Sequence, residues 1–251
     1  MKSTVLITGA SAGIGAACAR AFASQGARLV LAARRMERLR ELAAELGGAQ
    51  VHLVELDVRD SAAVAATLGA LPAEWAEIDV LVNNAGLGRG MEKVHEGSTE
   101  GWDEMVDTNV KGLLYVTRAV TPSMVARGRG HVVNIGSVAG HEVYPGGAVY
   151  CGTKHAVGAI TRGMRMDLLG TGVRVTTVDP GMVETEFSVV RFRGDEERAK
   201  KVYANMAPLA PADIADAVLW AATRPPHVNV DEIIIKPTDQ ASATLVHRRP
   251  A

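Results

Sequence analysis

Apolar residues recur in two rhythms along this 251-residue chain. Seven short runs, at 4–8, 28–33, 51–56, 78–82, 131–135, 173–178 and 232–236, are rich in β-branched residues and read as buried strands. Between them the apolar positions follow helical spacing. The stretch AACARAFASQG runs to Gly26, and 36–46 sets Leu39, Leu42, Ala43 and Leu46 on one face before Gly47-Gly48 stops it. A weaker helix is predicted at 61–68. A long one at 99–127 carries the stripe Met105, Val106, Val110, Leu113, Leu114, Thr117 and Val120, with Pro122 expected to kink or shorten its end. Further helices are predicted at 150–169 and 212–222, and 183–211 reads as loop-rich with small helices and a charged stretch near Arg193. Regular alternation of strand and helix predicts an α/β fold with a doubly wound, mostly parallel sheet and helices on both faces. No repeat or linker interrupts the chain, so residues 1–251 read as one domain.

Composition narrows the class. With 47% hydrophobic and 22% charged residues the chain can build a large core, and a net charge of −1 provides no basic face for nucleic acid or a membrane surface. No apolar run approaches the ~18 residues of a membrane span. Lys2 before Val5-Leu6-Ile7 mimics the start of a signal peptide, but that apolar core is short and Gly9 breaks it, so the chain reads as mature protein. Two cysteines, Cys18 and Cys151, make no disulfide framework and suit a reduced, cytoplasmic setting. The seven histidines show no H-E-x-x-H and no zinc-type spacing, so no metal is expected. Trp75, Trp102 and Trp220 read as packing residues.

Several segments carry candidate chemistry. Gly9-xxx-Gly13-x-Gly15 lies between a strand and a helix, where glycines allow a tight turn, close approach to a pyrophosphate and close packing; a plain turn is the alternative. At the end of the second strand, an acid would hold a ribose diol and select NAD. This chain has Arg34-Arg35, which can pair with a 2′-phosphate and so points to NADP, or else opens a helix as solvated charge. Asp57-Val58 ends the third strand, as an adenine contact or, for Asp57, a helix N-cap. Asn83–Gly86 closes the fourth, as a cofactor contact or turn chemistry. Ser137 follows the fifth strand. With Ile135 and Ala139 flanking it, the G-x-S-x-G elbow of a hydrolase is absent, leaving a hydrogen-bond donor to a substrate oxygen or a turn cap. Tyr150 and Lys154 share one helical face at i, i+4. A cation at ~4 Å in an effective dielectric of ~20 attracts a phenolate by about 4 kcal/mol, enough to bring tyrosine into the range of general acid–base work. Taken alone, the pair reads sooner as a surface Tyr and a solvated Lys. Arg191 and Arg193 could clamp a substrate carboxylate or form a solvated cluster.

Taken in order, Thr8-Gly9-Ala10-Ser11-Ala12-Gly13-Ile14-Gly15, Asn83-Asn84-Ala85-Gly86, Asn109, Ser137, Tyr150-xxx-Lys154 and Asp179-Pro180-Gly181 resemble the short-chain dehydrogenase/reductase family over essentially the whole chain. The resemblance implies a Rossmann fold with a seven-stranded parallel sheet in the order 3-2-1-4-5-6-7. It implies a catalytic tetrad of Asn109, Ser137, Tyr150 and Lys154, in which Asn109 holds a proton-relaying water. It further implies a cofactor site of Gly9, Ser11, Gly13, Ile14, Gly15, Arg34, Arg35, Asp57, Val58, Asn83, Ala85, Gly86, Tyr150, Lys154, Pro180, Gly181, Val183 and Thr185, and a homo-oligomer, often a tetramer.

Segments such as Leu71–Trp75, Tyr144-Pro145-Gly146-Gly147, Glu186-Phe187-Ser188 and His227-Val228-Asn229 are similar to the NADP-dependent 3-hydroxy acid dehydrogenase branch. That branch acts on L-serine, L-allo-threonine and 3-hydroxypropionate or malonic semialdehyde, which brings Ser137, Gly147, Tyr150 and Arg191 forward as substrate residues. The ending Lys236-Pro237-Thr238-Asp239-Gln240 is similar to broader NADPH-dependent aldehyde and ketone reductases, the alternative within the enzyme class. A non-catalytic NADP-binding regulator would be expected to lack Ser137, Tyr150 or Lys154, and all three are present.

Overall fold

The computed structural model describes residues 3–250. All seven expected strands form: β1 (Thr4–Thr8), β2 (Arg28–Ala33), β3 (Val51–Glu55), β4 (Val80–Asn83), β5 (Gly130–Ile135), β6 (Val173–Pro180) and β7 (Glu232–Ile235). They pair in parallel in the order β3-β2-β1-β4-β5-β6-β7. The helices are α1 (Gly13–Ser24), α2 (Met36–Glu45), α3 (Ser61–Gly69), α4 (Ala73–Ala76), α5 (Thr99–Val106), α6 (Leu113–Ala126), α7 (Ala148–Asp167), α8 (Phe187–Arg191), α9 (Glu196–Val202) and α10 (Pro211–Ala222).

The strands read as continuous apolar runs because both faces of the sheet are covered. On one face Phe22, Leu39, Ile214 and Val218, from α1, α2 and α10, pack on Val5, Ile7, Leu29 and Leu31. On the other, Val64, Leu68, Val116 and Met124 of α3 and α6 meet Leu6, Val30 and Leu81, with Met164 of α7 alongside. Each fully buried Leu or Phe contributes ~1.5–3 kcal/mol. Strand order reverses between β1 and β4, which opens a crevice at their carboxyl ends.

Two local readings change and a third gains detail. The long helix predicted at 99–127 is α5 and α6 joined by a π-helical turn, Asp107–Gly112, that carries Asn109; such wide turns recur at functional sites. Pro122 neither ends nor shortens α6, which runs on to Ala126, because one turn from a helix end it deprives only the Arg118 carbonyl of its partner. The loop-rich stretch folds α8 and α9 within it, and the Asp195 carboxylate caps α9 by accepting from the Arg198 N–H.

A buried polar ladder ties the two halves of the second face together. Asn83 Nδ2 donates to Thr117 Oγ1 and Asn134 Oδ1, both at 2.9 Å, and Asn134 Nδ2 donates to Thr161 Oγ1 at 2.9 Å. This corrects the reading of Asn83 as a cofactor contact: its amide is spent inside the fold, between β4, β5 and α6, and does not line the crevice.

Candidate active site

One cleft of about 820 Å³ runs along the carboxyl ends of the strands, a size suited to a dinucleotide with a small substrate. The glycine-rich turn forms its floor. Gly9 and Gly13 have φ of +65° and +53°, conformations that other residues rarely take. A Cβ on Gly9 would lie 2.9 Å from Ala85 Cα, and one on Gly15 would lie 2.5 Å from both the Gly9 carbonyl oxygen and Asn84 Nδ2. Gly15 therefore works beneath the cleft, letting α1 pack on the loop, while Gly9, Ser11, Gly13 and Ile14 line it. Asn84 clamps the turn from β4, with Nδ2 donating to the carbonyls of Thr8 at 2.9 Å and Gly9 at 3.2 Å. The N-cap of α1, Ala12, makes no side-chain hydrogen bond to the first N–H groups of the helix, which leaves that place to an anion. That cradle fits a pyrophosphate.

At the adenosine end, Arg34 and Arg35 line the cleft and no acid ends β2. Arg35 holds Ser11 Oγ at 3.2 Å and Glu186 Oε2 at 2.9 Å, and Arg38 reaches Glu186 Oε1 at 3.2 Å. Arg38 and Glu186 were not foreseen; the tertiary fold brings the residue before α8 beside the start of α2. The cation cluster fits a 2′-phosphate, for which the Glu186 carboxylate is a ready-made rival. Asp57 pairs with Arg59 at 2.6 Å, and that hydrogen bond holds its carboxyl below the usual range. The N-cap alternative for Asp57 falls instead to Asp60, which accepts from the N–H groups of Ala62 and Ala63. Asp57, Val58, Ala85 and Gly86 line the cleft.

The reacting end gathers β5, α7 and the β6–α8 segment. Ser137 caps a 3-10 turn, Val138–Gly140, with Oγ accepting from the Ala139 N–H at 3.1 Å. Tyr150 and Lys154 rise from α7 into the cleft. Lys154 Nζ donates to the Ile135 carbonyl at 2.9 Å, and burial lowers its pKa to about 8 against the pull of Asp179. Burial raises the Tyr150 phenol above its usual range; the Arg191 guanidinium and a hydrogen bond with Ser137 draw it back. The expected arrangement, with Lys154 as the cation acting on Tyr150, is thus modified. Lys154 Nζ is 6.0 Å from the Tyr150 ring centroid, whereas Arg191 Cζ is 4.7 Å away.

Asn109 does not line the cleft. Its Nδ2 donates to the Leu87 carbonyl and to Thr153 Oγ1, and its Oδ1 accepts from the Leu87 N–H, so the side chain staples the π-turn to the β4–α5 loop and α7. Gly147 is likewise covered: a Cβ there would sit 2.2 Å from Tyr144 Cε2, and the Tyr144 ring forms the wall in its place. Phe187, Met91 and Gln240 line the cleft unforeseen. Gln240 Oε1 accepts from the Met182 N–H at 2.8 Å and steadies the Pro180–Thr185 strip. Pro180, Gly181, Val183 and Thr185 all line the cleft. Spacing placed these side chains near the site; only backbone direction shows which of them turn inward. Behind the floor, His141, Asp179 and Glu232 have ligand-type atoms within 4.8 Å of one another, with His141 Nε2 at 2.6 Å from Asp179 Oδ2, a grouping that the sequence did not suggest.

Comparison with known proteins places this geometry among relatives. The short chain dehydrogenase family matches residues 3–196. The chain is 51% identical over 247 residues to the NADP-dependent 3-hydroxy acid dehydrogenase YdfG of Escherichia coli strain K12, covering 98% of this chain and 99% of that one. It is 44% identical over 252 residues to an NADP-dependent 3-hydroxy acid dehydrogenase of Schizosaccharomyces pombe, covering 99% and 97%. Among solved structures, the closed form of a serine dehydrogenase complexed with NADP+ superposes with a TM-score of 0.94 at 50% identity, covering 98% of this chain and all of that one.

Proposed function

The chain belongs to the short-chain dehydrogenase/reductase family, and from that premise we infer that it is an NADP-dependent dehydrogenase acting on small 3-hydroxy acids such as L-serine, L-allo-threonine or 3-hydroxypropionate, from one dinucleotide-binding and catalytic domain. The observation that carries the chemistry is Ser137, Tyr150 and Lys154 lining one end of a cleft whose other end presents a glycine turn and an arginine pair. The substrate class rests on 51% and 44% identity, over 98% and 99% of the chain, to two 3-hydroxy acid dehydrogenases.

In this reading the Gly9–Gly15 turn and the α1 N-terminus hold the pyrophosphate, Arg34 and Arg35 the 2′-phosphate, and Pro180, Gly181, Val183 and Thr185 the nicotinamide end. Bound NADP supplies the redox chemistry by accepting or returning hydride at the carbinol carbon. Ser137 orients the substrate oxygen and donates to it as charge develops. Tyr150 takes the hydroxyl proton in oxidation and returns it in reduction. Lys154, anchored on the Ile135 carbonyl, contributes positive charge beside the phenol. Asn109 positions α7 and the β4–α5 loop through Thr153 and Leu87.

An absorbance assay at the NADPH band tests the reading, with 3-hydroxy acids run forward and assorted aldehydes and ketones in reverse. Turnover of at least one 3-hydroxy acid is expected; activity confined to bulky carbonyls would favour a general carbonyl reductase. Tyr150→Phe is expected to keep NADPH binding and lose turnover by orders of magnitude, and a variant that still turns over would remove Tyr150 from the chemistry. We also propose a homotetramer, for which sedimentation should give a mass near four times the 26.4 kDa chain.

A further inference from the structure

We infer that Arg191, assisted by the Tyr144 hydroxyl, seats the carboxylate of the substrate and so sets the preference for hydroxy acids over uncharged alcohols. This rests on the substrate class proposed above.

Arg191 ends α8 and lines the cleft beside the reacting groups. Its guanidinium is sandwiched, with Cζ 4.7 Å from the Tyr150 ring centroid and 4.9 Å from that of Phe187. Among the described residues no carboxylate lies within ion-pair distance of it. Its polar partner is a neutral one, with Nη2 donating to Tyr144 Oη at 3.1 Å, and its buried Nε has no hydrogen-bond partner. A guanidinium carries five N–H donors in a planar fork that matches a carboxylate; here the Nε side faces Gly88, and the Nη1 and Nη2 end is the part left to meet a ligand.

The place is built for this side chain. A Cβ on Gly88 would lie 2.7 Å from Arg191 Nε and 2.9 Å from Nη2, so the absence of a side chain at position 88 makes the room. The backbone is held as well: the Gly90 N–H donates to the Arg191 carbonyl at 3.0 Å, and Arg89 donates to the Val190 carbonyl. Tyr144 complements the fork. Burial pushes its phenol up to about 12, so it keeps its proton; while its oxygen accepts from Arg191, its own O–H can donate to a second carboxylate oxygen.

The reach fits. In a 3-hydroxy acid the carboxyl carbon lies two C–C bonds from the carbinol carbon, about 2.5 Å away. With the carbinol oxygen on Ser137 and Tyr150, the carboxylate falls beside the Tyr150 ring, where the guanidinium stacks. A bidentate, charge-assisted pair there fixes the substrate at two points and aligns the carbinol carbon for transfer.

The test compares 3-hydroxypropionate with its methyl ester in wild type, Arg191→Gln, Arg191→Lys and Tyr144→Phe, with NADPH affinity measured by fluorescence titration. Wild type should prefer the acid. Arg191→Gln should lower kcat/KM for the acid roughly 30-fold more than for the ester, as expected for a lost charged hydrogen-bond pair, with the excess appearing in KM and NADPH affinity unchanged; any loss common to both substrates reports the effect of Arg191 on Tyr150. Arg191→Lys should recover part of the loss. Tyr144→Phe should raise KM for the acid several-fold and leave the ester alone, and it stands in should Arg191→Gln misfold. Equal losses on acid and ester would overturn the inference, because Arg191 would then act only through Tyr150 or the fold; so would an unchanged acid. If wild type oxidises no 3-hydroxy acid at all, the substrate class itself fails and this inference with it, a failure visible before any variant is made.

Discussion

Arg34 and Arg35 stand where an acid would bind a ribose diol, and Arg35 is already engaged by the Glu186 carboxylate. A 2′-phosphate competes for that guanidinium with twice the charge, whereas a plain ribose has nothing to exchange for Glu186. Arg34→Ala combined with Arg35→Ala should therefore raise KM for NADPH at least 10-fold and change KM for NADH little; equal effects on the two would remove the pair from cofactor selection. The arginines were legible in the sequence because position after a strand fixes them at the cleft edge. Glu186 as their partner was not, since 151 residues separate it from Arg35. Asn83 and Gly147 show the same limit from the other side. Each lies in a segment that borders the cleft, yet the side chain or the neighbouring Tyr144 ring decides what the ligand would touch.

At the scale of elements, the chemistry depends on how closely the 3-10 turn after β5 meets α7. Gly140 is the contact point: a Cβ there would lie 2.8 Å from the Lys154 carbonyl oxygen and 3.1 Å from its carbonyl carbon, both backbone atoms that cannot swing aside. Gly140→Ala must push the turn and α7 apart, carrying Ser137 away from Tyr150 and Lys154. A displacement approaching 1 Å costs up to ~100-fold in rate, so kcat should fall at least 10-fold while NADP+ affinity changes little. Wild-type turnover in this variant would show that the separation is uncritical. The π-turn at Asp107–Gly112 is a second such device. Periodicity saw only a continuous apolar stripe there, because one extra residue in a helical turn hardly disturbs a pattern read over roughly four turns. What it changes is the phase of Asn109, which staples Leu87 to Thr153.

For the molecule as a whole, stability towards acid should be governed in part by His131, inside β5 and 1% exposed. Thr176 Oγ1 spends its proton on the Val230 carbonyl at 2.6 Å, so His131 Nε2 must be the donor in the 2.7 Å contact with Thr176, and Nδ1 is a buried acceptor without a partner. Burial, helped by the Arg174 guanidinium, lowers the pKa of His131 to about 3. The unfolded chain takes a proton near ~6.5 that the folded chain refuses. The contribution is therefore intact above pH ~6.5 and declines by up to ~1.4 kcal/mol per pH unit as the pH falls towards the folded value. In urea titrations between pH 7 and pH 4.5, His131→Leu should show a shallower loss of stability than wild type; parallel curves would assign acid sensitivity to other groups.

Family resemblance brought Ser137 forward; the sequence by itself determined the strand and helix order, the parallel doubly wound sheet, the glycine turn and the placing of Tyr150 and Lys154 on one helical face. These follow from local causes: apolar period, the conformational freedom of glycine, and the i, i+4 geometry of one helix. The tertiary structure decided which charges face which groups. It set Arg191 nearer than Lys154 to the Tyr150 ring, Glu186 on Arg35, Asp60 rather than Asp57 at the start of α3, and Tyr144 over Gly147. Side-chain direction across a crevice depends on how separate elements pack, and electrostatic effect depends on distance and burial, neither of which a linear pattern contains.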